Sequence, residues 1–292
     1  MKTPFFSVVI PCYNVENSIE ATLQSLQKQT FLDFEIVFVN DGSEDSTLAI
    51  LNSYNSPVTK RIISQQNLGL GAARNTGIRE SNGRYIAFLD GDDSWLPEKL
   101  SIIYEVLSKD ERIELICHNE FIITETNQLL KKNYYGPYSK FDDLFFKANC
   151  LSPSAVTVNS EVFNKVGLFT ENRKLHGVED YDMWLRMSMN NINFHYIKEF
   201  LGNYIIHGNN MSTKFKFFET QERVMLMYGL KAKRGFKNYL KMRRRFLIFY
   251  LIKLKVSIST KEFSYMAFFF RDLFNLFFLP DFLTTKLSEL DA

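Results

Sequence analysis

Between Phe5 and Asp93 four apolar runs of strand character recur, and each one breaks off into polar residues. They are "FFSVVI" (5–10), "FEIVFVN" (34–40), "KRIISQ" (60–65) and "RYIAFLD" (84–90). The segments between them read as helices. Ile19, Leu23 and Leu26 recur at helical spacing in 16–30. "SEDSTLAILNSY" opens on cap-type residues, and "GLGAARNTGIRES" has a glycine-rich start. Strands alternating with helices in this way predict βαβ units and a parallel sheet. In such sheets ligands sit outside the carboxyl ends of the strands. Pro11 to Asn14, Asn40 with Asp41, Gln65 to Asn67, and Asp90 to Asp93 should therefore gather on one edge, although about 80 residues separate them in the chain.

Beyond Pro97 the reading is a helix (97–108), a strand (113–123), a loop with "NYYGPYSK" and a helix near 141–148. A strand "SAVTVN", a helix from Glu179 and strands near 193–206 follow. After Lys214 the pattern turns to long, basic, aromatic helices. The expected organisation is a main body at 1–213, with halves at 1–96 and 97–213, and an extension at 214–292. Charge follows the same division. Lys214 to Lys261 holds 14 Lys/Arg and 2 Glu, a local +12, so the rest carries −10 within a chain of +2. Cys12, Cys117 and Cys150 are far apart and form no CxxC or Cys/His cluster, which argues against a zinc site or a disulfide framework and suits a reducing, cytosolic setting. The start "MKTPFFSVVIP" is too short for a secretory signal. The run "FLIFYLI" (246–252) is too short to cross a bilayer.

The stretch "DGDD" (90–93) closes the fourth strand with three carboxylates. Such a group repels itself and raises its members' pKa values unless a counter-charge is present. A divalent cation supplies one. Hard ions such as Mg²⁺ take one or two protein carboxylates and let substrate phosphates complete the shell. A turn with a helix cap is the plainer use of the same residues. Asp41 can accept from a ring N–H of a nucleobase, or serve as a turn residue. Arg74 and Asn75 should lie early on a helix near this edge, within reach of a phosphate, or else on a solvated face. Glu179, Asp180 and Asp182 fall in a first helical turn, where the macrodipole favours acids; Asp182 reads as a surface or capping acid.

Five motifs, "SVVIPCYN", "VNDGSEDST", "NLGLGAARNTGI", "YIAFLDGDDSWLPEKL" and "GVEDYDMWLRM", occur in an order that resembles family 2 glycosyltransferases of GT-A fold, over roughly residues 5–212. The resemblance implies a nucleotide-sugar donor, usually a UDP-sugar, with Mn²⁺ or Mg²⁺ and inversion at the anomeric carbon. By motif, Pro11, Tyr13 and Asp41 would line a nucleobase pocket, with Asn67 and Arg74 completing nucleoside and diphosphate contacts. Asp90 looks like the ribose-side acid of the DxD motif and Asp92 like the metal ligand, while Asp93 is an adjacent acid. Asp180, after Glu179, resembles the general base. "NYIIHGNNMST" resembles a later segment in which Tyr204, His207 and Ser212 match and Ile205 replaces the usual Arg. His207 then becomes a candidate for metal or diphosphate, and Lys214 or Lys216 for the missing charge. His118, His176 and His195 receive no catalytic role, though His176 could touch the acceptor.

In the extension, Phe246, Leu247, Tyr250, Leu251 and Leu254 form a helical stripe, with Arg243 to Arg245, Lys253 and Lys255 around it. Such helices lie in anionic membrane interfaces. They also pack on a body or a second subunit as a homodimer. The "MRRR" run is of a kind that binds nucleic acid, but no such partner is expected. The expectation is an inverting, metal-dependent hexosyl- or N-acetylhexosaminyltransferase at the cytoplasmic face of a bacterial inner membrane, or in the cytoplasm. Its acceptor would be a lipid-linked saccharide in O-antigen, capsule or lipooligosaccharide assembly. A nucleotidyltransferase and a catalytically silent sugar-nucleotide binding module are the rivals.

Overall fold

The computed structural model describes residues 3–138, 140–147, 151–208, 216–232 and 236–260, with Phe269, Leu273, Leu276 and Lys286 besides. The first half alternates as its periodicity requires: β1 (Phe6–Cys12), α1 (Ile19–Gln27), β2 (Phe34–Asp41), α2 (Thr47–Ser53), β3 (Lys60–Gln65), α3 (Leu70–Arg79) and β4 (Tyr85–Phe88). Then come β5 (Ser94–Trp95), α4 (Lys99–Lys109), β6 (Leu115–Thr124), β7 (Leu129–Asn133), α5 (Phe141–Lys147), β8 (Val156–Asn159), α6 (Val162–Val166), α7 (Glu179–Met189) and β9 (Phe194–Ile206). Two long helices follow, α8 (Lys216–Ala232) and α9 (Phe236–Thr260).

The nine strands among the described residues join one mixed sheet in the order β3-β2-β1-β4-β8-β6-β9-β5, with β7 on β6. β1, β2, β3 and β4 pair in parallel, as expected. The second half departs from that rule. β8 runs antiparallel to both β4 and β6, β9 runs parallel to β6, and β5 runs antiparallel to β9. The strands foreseen near 193–206 are a single strand of 13 residues. The two-residue β5 and the exposed β7 have no signal of their own in the sequence, because neither carries a buried apolar face long enough to show a period.

Burial follows the pleat. Phe6, Val8 and Ile10 pack on one face of the sheet with α1 and α4, while Val9, Val37 and Val39 face the other with α3 and α7. α3 lies tight on β1 because Gly77 has no side chain; a Cβ there would run into Val9. α8 and α9 belong to the same core: Val224, Met225, Leu226, Tyr228, Phe246, Phe249 and Tyr250 are buried in the cluster that holds Val9 and Trp184. Phe246 and Tyr250 from the aromatic stripe point inward, and Leu247 and Leu254 pack beside them. Leu251, foreseen in that stripe, is 49% exposed. Most of the second aromatic run, 263–283, lies outside the described residues; Phe269, Leu273 and Leu276 within it join the core.

Candidate active site

Register brings the strand ends to one level. Cys12 lies opposite Asn40, Asp41 opposite Gln65, and Val9 opposite Phe88, so the 89–93 turn comes up beside Pro11. Pro11 is buried in β1 and Tyr13, just past it, is 47% exposed. Asp41 shapes the neighbouring turn: its carboxylate accepts from Gln65 Nε2 (2.7 Å) and from the backbone N–H groups of Leu68 (3.0 Å) and Gly69 (2.9 Å). A carboxylate has about four acceptor positions, so one more donor can be taken. Asn67 is exposed within that turn.

The 90–93 acids have unlike fates. Asp90 Oδ1 accepts from Arg74 Nη2 at 2.8 Å. Burial, then the neighbouring Asp92 and Glu179, push the Asp90 carboxyl above its ordinary value, although Arg74 pulls it down. Asp92 stays on the open side, with 28% of its side chain exposed, and its Oδ2 lies 2.8 Å from His207 Nε2. That contact raises the His207 pKa. Asp93 turns inward and is 1% exposed. Its Oδ1 accepts the Ile205 N–H at 3.0 Å, and Ser154 Oγ donates to its Oδ2 at 2.6 Å. The same hydroxyl accepts the Asp90 N–H at 3.1 Å. Asp93 and Ser154 therefore tie the DxD turn to the end of β9, two residues before His207. Burial, and after it the charges on Asp92, Glu120 and Asp90, hold the Asp93 carboxyl well above its usual range.

Ser154 is held in turn by two buried donors. Lys99 Nζ (2.7 Å) and Trp95 Nε1 (2.9 Å) both donate to its carbonyl, and Lys99 Nζ sits 3.4 Å from the Trp95 ring centroid. Burial pulls the Lys99 amine well below its ordinary value, against the carboxylates of Glu120 and Asp93. "SWLPEK" thus supports the strand end from behind. Sequence reasoning missed Ser154 and Lys99, since a serine before a strand and a lysine on a helix carry no signal until they meet.

Arg74 has the largest departure from expectation. The sequence reading places it early on a helix, near phosphate or solvent. It sits mid-helix, 1% exposed, with Nη2 on Asp90 and Nη1 on Glu179 Oε1 at 3.1 Å. Burial opposes its charge, but Asp90, Glu179 and Asp180 outweigh burial and raise its pKa. Asp180 therefore lies within the field of the guanidinium that holds Asp90. Asn75 is likewise buried and clasps the Phe169 backbone in both directions. Gly71 is needed for packing, since a Cβ there would meet the Thr170 carbonyl.

Glu179 is 2% exposed and fully engaged: Oε2 accepts the Gly177 N–H at 2.6 Å while Oε1 meets Arg74. It anchors α7, leaving the partly exposed Asp180 as the acid of this pair nearer solvent. Asp180 Oδ1 accepts from the Tyr181 N–H at 2.7 Å. The surface role foreseen for Asp182 is corrected. It is buried at 5% exposure, bridging Arg186 Nε (2.9 Å) and the Tyr228 hydroxyl (2.7 Å), because α8 covers that side of α7. His176 is exposed beside Gly69. Ser212 and Lys214 lie outside the described residues, and Lys216 begins α8.

The donor set tests the expected cation. Asp92 and His207 offer one oxygen and one nitrogen on the open side, with Asp90 two residues before Asp92. Among the described residues no group of three or more His, Cys, Asp or Glu converges as a metal cage. That pattern fits an ion which takes one or two protein ligands and completes its shell with phosphate.

The sequence profile described as "Glycosyl transferase family 2" matches residues 7–194. An uncharacterised glycosyltransferase of Methanocaldococcus jannaschii is 30% identical over 246 residues, covering 82% of this chain and 83% of the relative. The Escherichia coli enzyme named UDP-Glc:alpha-D-GlcNAc-diphosphoundecaprenol beta-1,3-glucosyltransferase WfaP is 28% identical over 232 residues, covering 77% and 87%. Escherichia coli chondroitin synthase is 29% identical over 239 residues, of which the chain spans 34%. Among solved structures, S. aureus TarS in complex with UDP-GlcNAc superposes with a TM-score of 0.67 at 20% identity, covering 98% of this chain and 80% of that one. The order of motifs, the shared fold and the extent of these matches lead to one conclusion: the chain belongs to glycosyl transferase family 2 and is a glycosyltransferase of GT-A fold.

Proposed function

We propose that this enzyme moves a hexose or N-acetylhexosamine from a UDP-sugar to a hydroxyl of a lipid-linked saccharide, with inversion, at the cytoplasmic face of an inner membrane. The observation that carries the reading is the Arg74 clamp. It brings the helix bearing Asp180 against the turn bearing Asp90 and Asp92, although Asp92 and Asp180 are 88 positions apart in the sequence.

In this reading the exposed Tyr13 ring and the remaining acceptor position of Asp41 receive the base, and Asn67 the nucleoside. Asp92 and His207 would hold Mn²⁺ or Mg²⁺. When bound, the ion neutralises charge that develops on the diphosphate. Asp180 takes the proton of the acceptor hydroxyl. The oxygen attacks C1 from the face opposite the diphosphate, the C1–O bond to phosphate breaks, and UDP leaves with the electron pair. The α7 N-terminus and Arg74 favour the ionised carboxylate that a base requires. UDP as the nucleotide is supported by the names of WfaP and of the TarS complex. The diphosphoundecaprenol in the WfaP name supports a lipid-linked acceptor of that chemical class.

A screen of UDP-, GDP- and dTDP-sugars with and without Mn²⁺ tests the donor. Asp180→Asn should keep UDP affinity by calorimetry and lower transfer about 10²–10⁴-fold. Undiminished transfer in that variant rejects Asp180 as base. Calorimetry of UDP with Asp92→Ala, with and without Mn²⁺, should lose the Mn²⁺-dependent part of binding; an unchanged Mn²⁺ effect removes Asp92 from the ion.

A further inference from the structure

Of the stripe that the sequence marks on α9, Phe246 and Tyr250 are buried in the molecule with Leu247 and Leu254 packed beside them, and Leu251 lies outside. Met242, Phe246, Phe249, Tyr250, Lys253 and Ser257 form the inner side of the helix. Tyr250 and Lys253 both reach Glu222 of α8, at 2.8 and 2.9 Å. The opposite side carries a different row. Leu240, Ile248, Leu251, Ile252 and Ile258 are 46–53% exposed. Lys241, Arg244 and Lys255 are exposed among them. Positions 240, 244, 248, 251 with 252, 255 and 258 succeed one another at three- and four-residue steps, so they form one line along the axis. At 1.5 Å per residue the line runs about 27 Å. Phe236–Thr260 contains no acidic residue.

Aliphatic side chains half out of water in one continuous row mark an interaction surface rather than scattered exposure. Their company decides the partner. A second copy would bring an equally basic row against this one, and like charges would oppose the contact. An anionic bilayer complements it, since the aliphatic groups enter the headgroup boundary while Lys241, Arg244 and Lys255 meet lipid phosphates. No helix among the described residues is long and apolar enough to cross a membrane, so the geometry is that of a helix lying on it.

We propose that the outer row of α9 is the surface by which this enzyme docks on an anionic bilayer. The inference rests on the reading of a lipid-linked acceptor and adds the place of contact. It also links contact to chemistry. On its inner side α9 touches α7 through Arg245 Nη2 and the Tyr181 hydroxyl at 3.3 Å, one residue beyond Asp180. A docked α9 holds the helix of the base at a set height over the bilayer, where a lipid-linked hydroxyl arrives.

Flotation of the full chain with phosphatidylcholine vesicles, with and without phosphatidylglycerol, is the test. Wild type should float with the anionic vesicles only. Ile248→Glu/Ile252→Glu and, separately, Arg244→Glu/Lys255→Glu should each reduce recovery about tenfold or more, with melting temperature and transfer to a water-soluble acceptor unchanged. Wild-type recovery in both variants overturns the proposal. So does a wild-type dimer, seen by light scattering, that the Ile variant dissociates without change in flotation. Loss of transfer to every acceptor by wild type, with flotation intact, overturns the enzymatic reading and leaves the docking surface standing.

Discussion

The two halves of the sheet reach the same rim by different means. In β1–β4 the candidate acids stand at or just past the ends of their strands, and parallel register brings Cys12, Asp41 and the turn after Phe88 to one level. In the half built from β5 to β9, no strand end carries Asp180, and His207 lies far along the chain from the turn that it meets. They are delivered by two long-range clips, Arg74 to Glu179 and Asp93 to Ile205, which span 105 and 112 residues. The lesson is that a parallel sheet assembles its polar edge by repetition, while the second half must be fastened to that edge by buried carboxylates and their partners. Three of the acids clustered near the motifs, Asp90, Asp93 and Glu179, are employed in that fastening.

Breaking a clip should therefore separate the halves. The largest effect is expected from Arg74→Met. It leaves Glu179 buried without its cation and Asp90 without its donor, and removal of one partner of such a pair costs about 3–5 kcal/mol. Denaturant unfolding should show that loss, and Arg74→Met/Glu179→Gln should recover part of it. A double variant no more stable than the single one would mean that Glu179 is not what Arg74 compensates.

Ser154→Ala tests the second clip on a smaller scale. It removes the donor to Asp93 and the acceptor of the Asp90 N–H, a change of about 1–3 kcal/mol. Because the turn then loosens beside Asp92 and His207, Mn²⁺-dependent UDP affinity should weaken more than UDP affinity without the ion. Equal weakening in both would reduce Ser154 to general support.

The smallest effect sharpens the contrast through pH. Burial raises the fully buried Glu120 carboxyl from 4.5 to about 7, against the Tyr135 hydroxyl and Lys99, which lower it. The native chain keeps this proton between those values while the unfolded chain releases it. Stability from this group is thus present below about pH 4.5 and is lost as pH rises to about 7. Glu120→Gln lacks that slope. Melting temperatures from pH 4.5 to 8 should move in the variant's favour across the window; a constant difference would show that Glu120 does not titrate there.

Much of this was readable beforehand. The strands of the first half and their shared edge followed from period and turn residues, because short-range patterning dictates where a parallel strand starts and stops. Mixed pairing of β8, β6 and β9 was not readable, since register between distant strands depends on what covers each face. The same limit governs side chains. An amino-acid string shows that Arg74 is a cation and Phe246 an aromatic, but burial assigns the first to two carboxylates and the second to the core, leaving Ile248 and Ile252 outside. Residue type sets which interactions are available to a group. Packing chooses among them, because a buried charge must find its partner and an aromatic face its neighbours, whatever their distance along the chain.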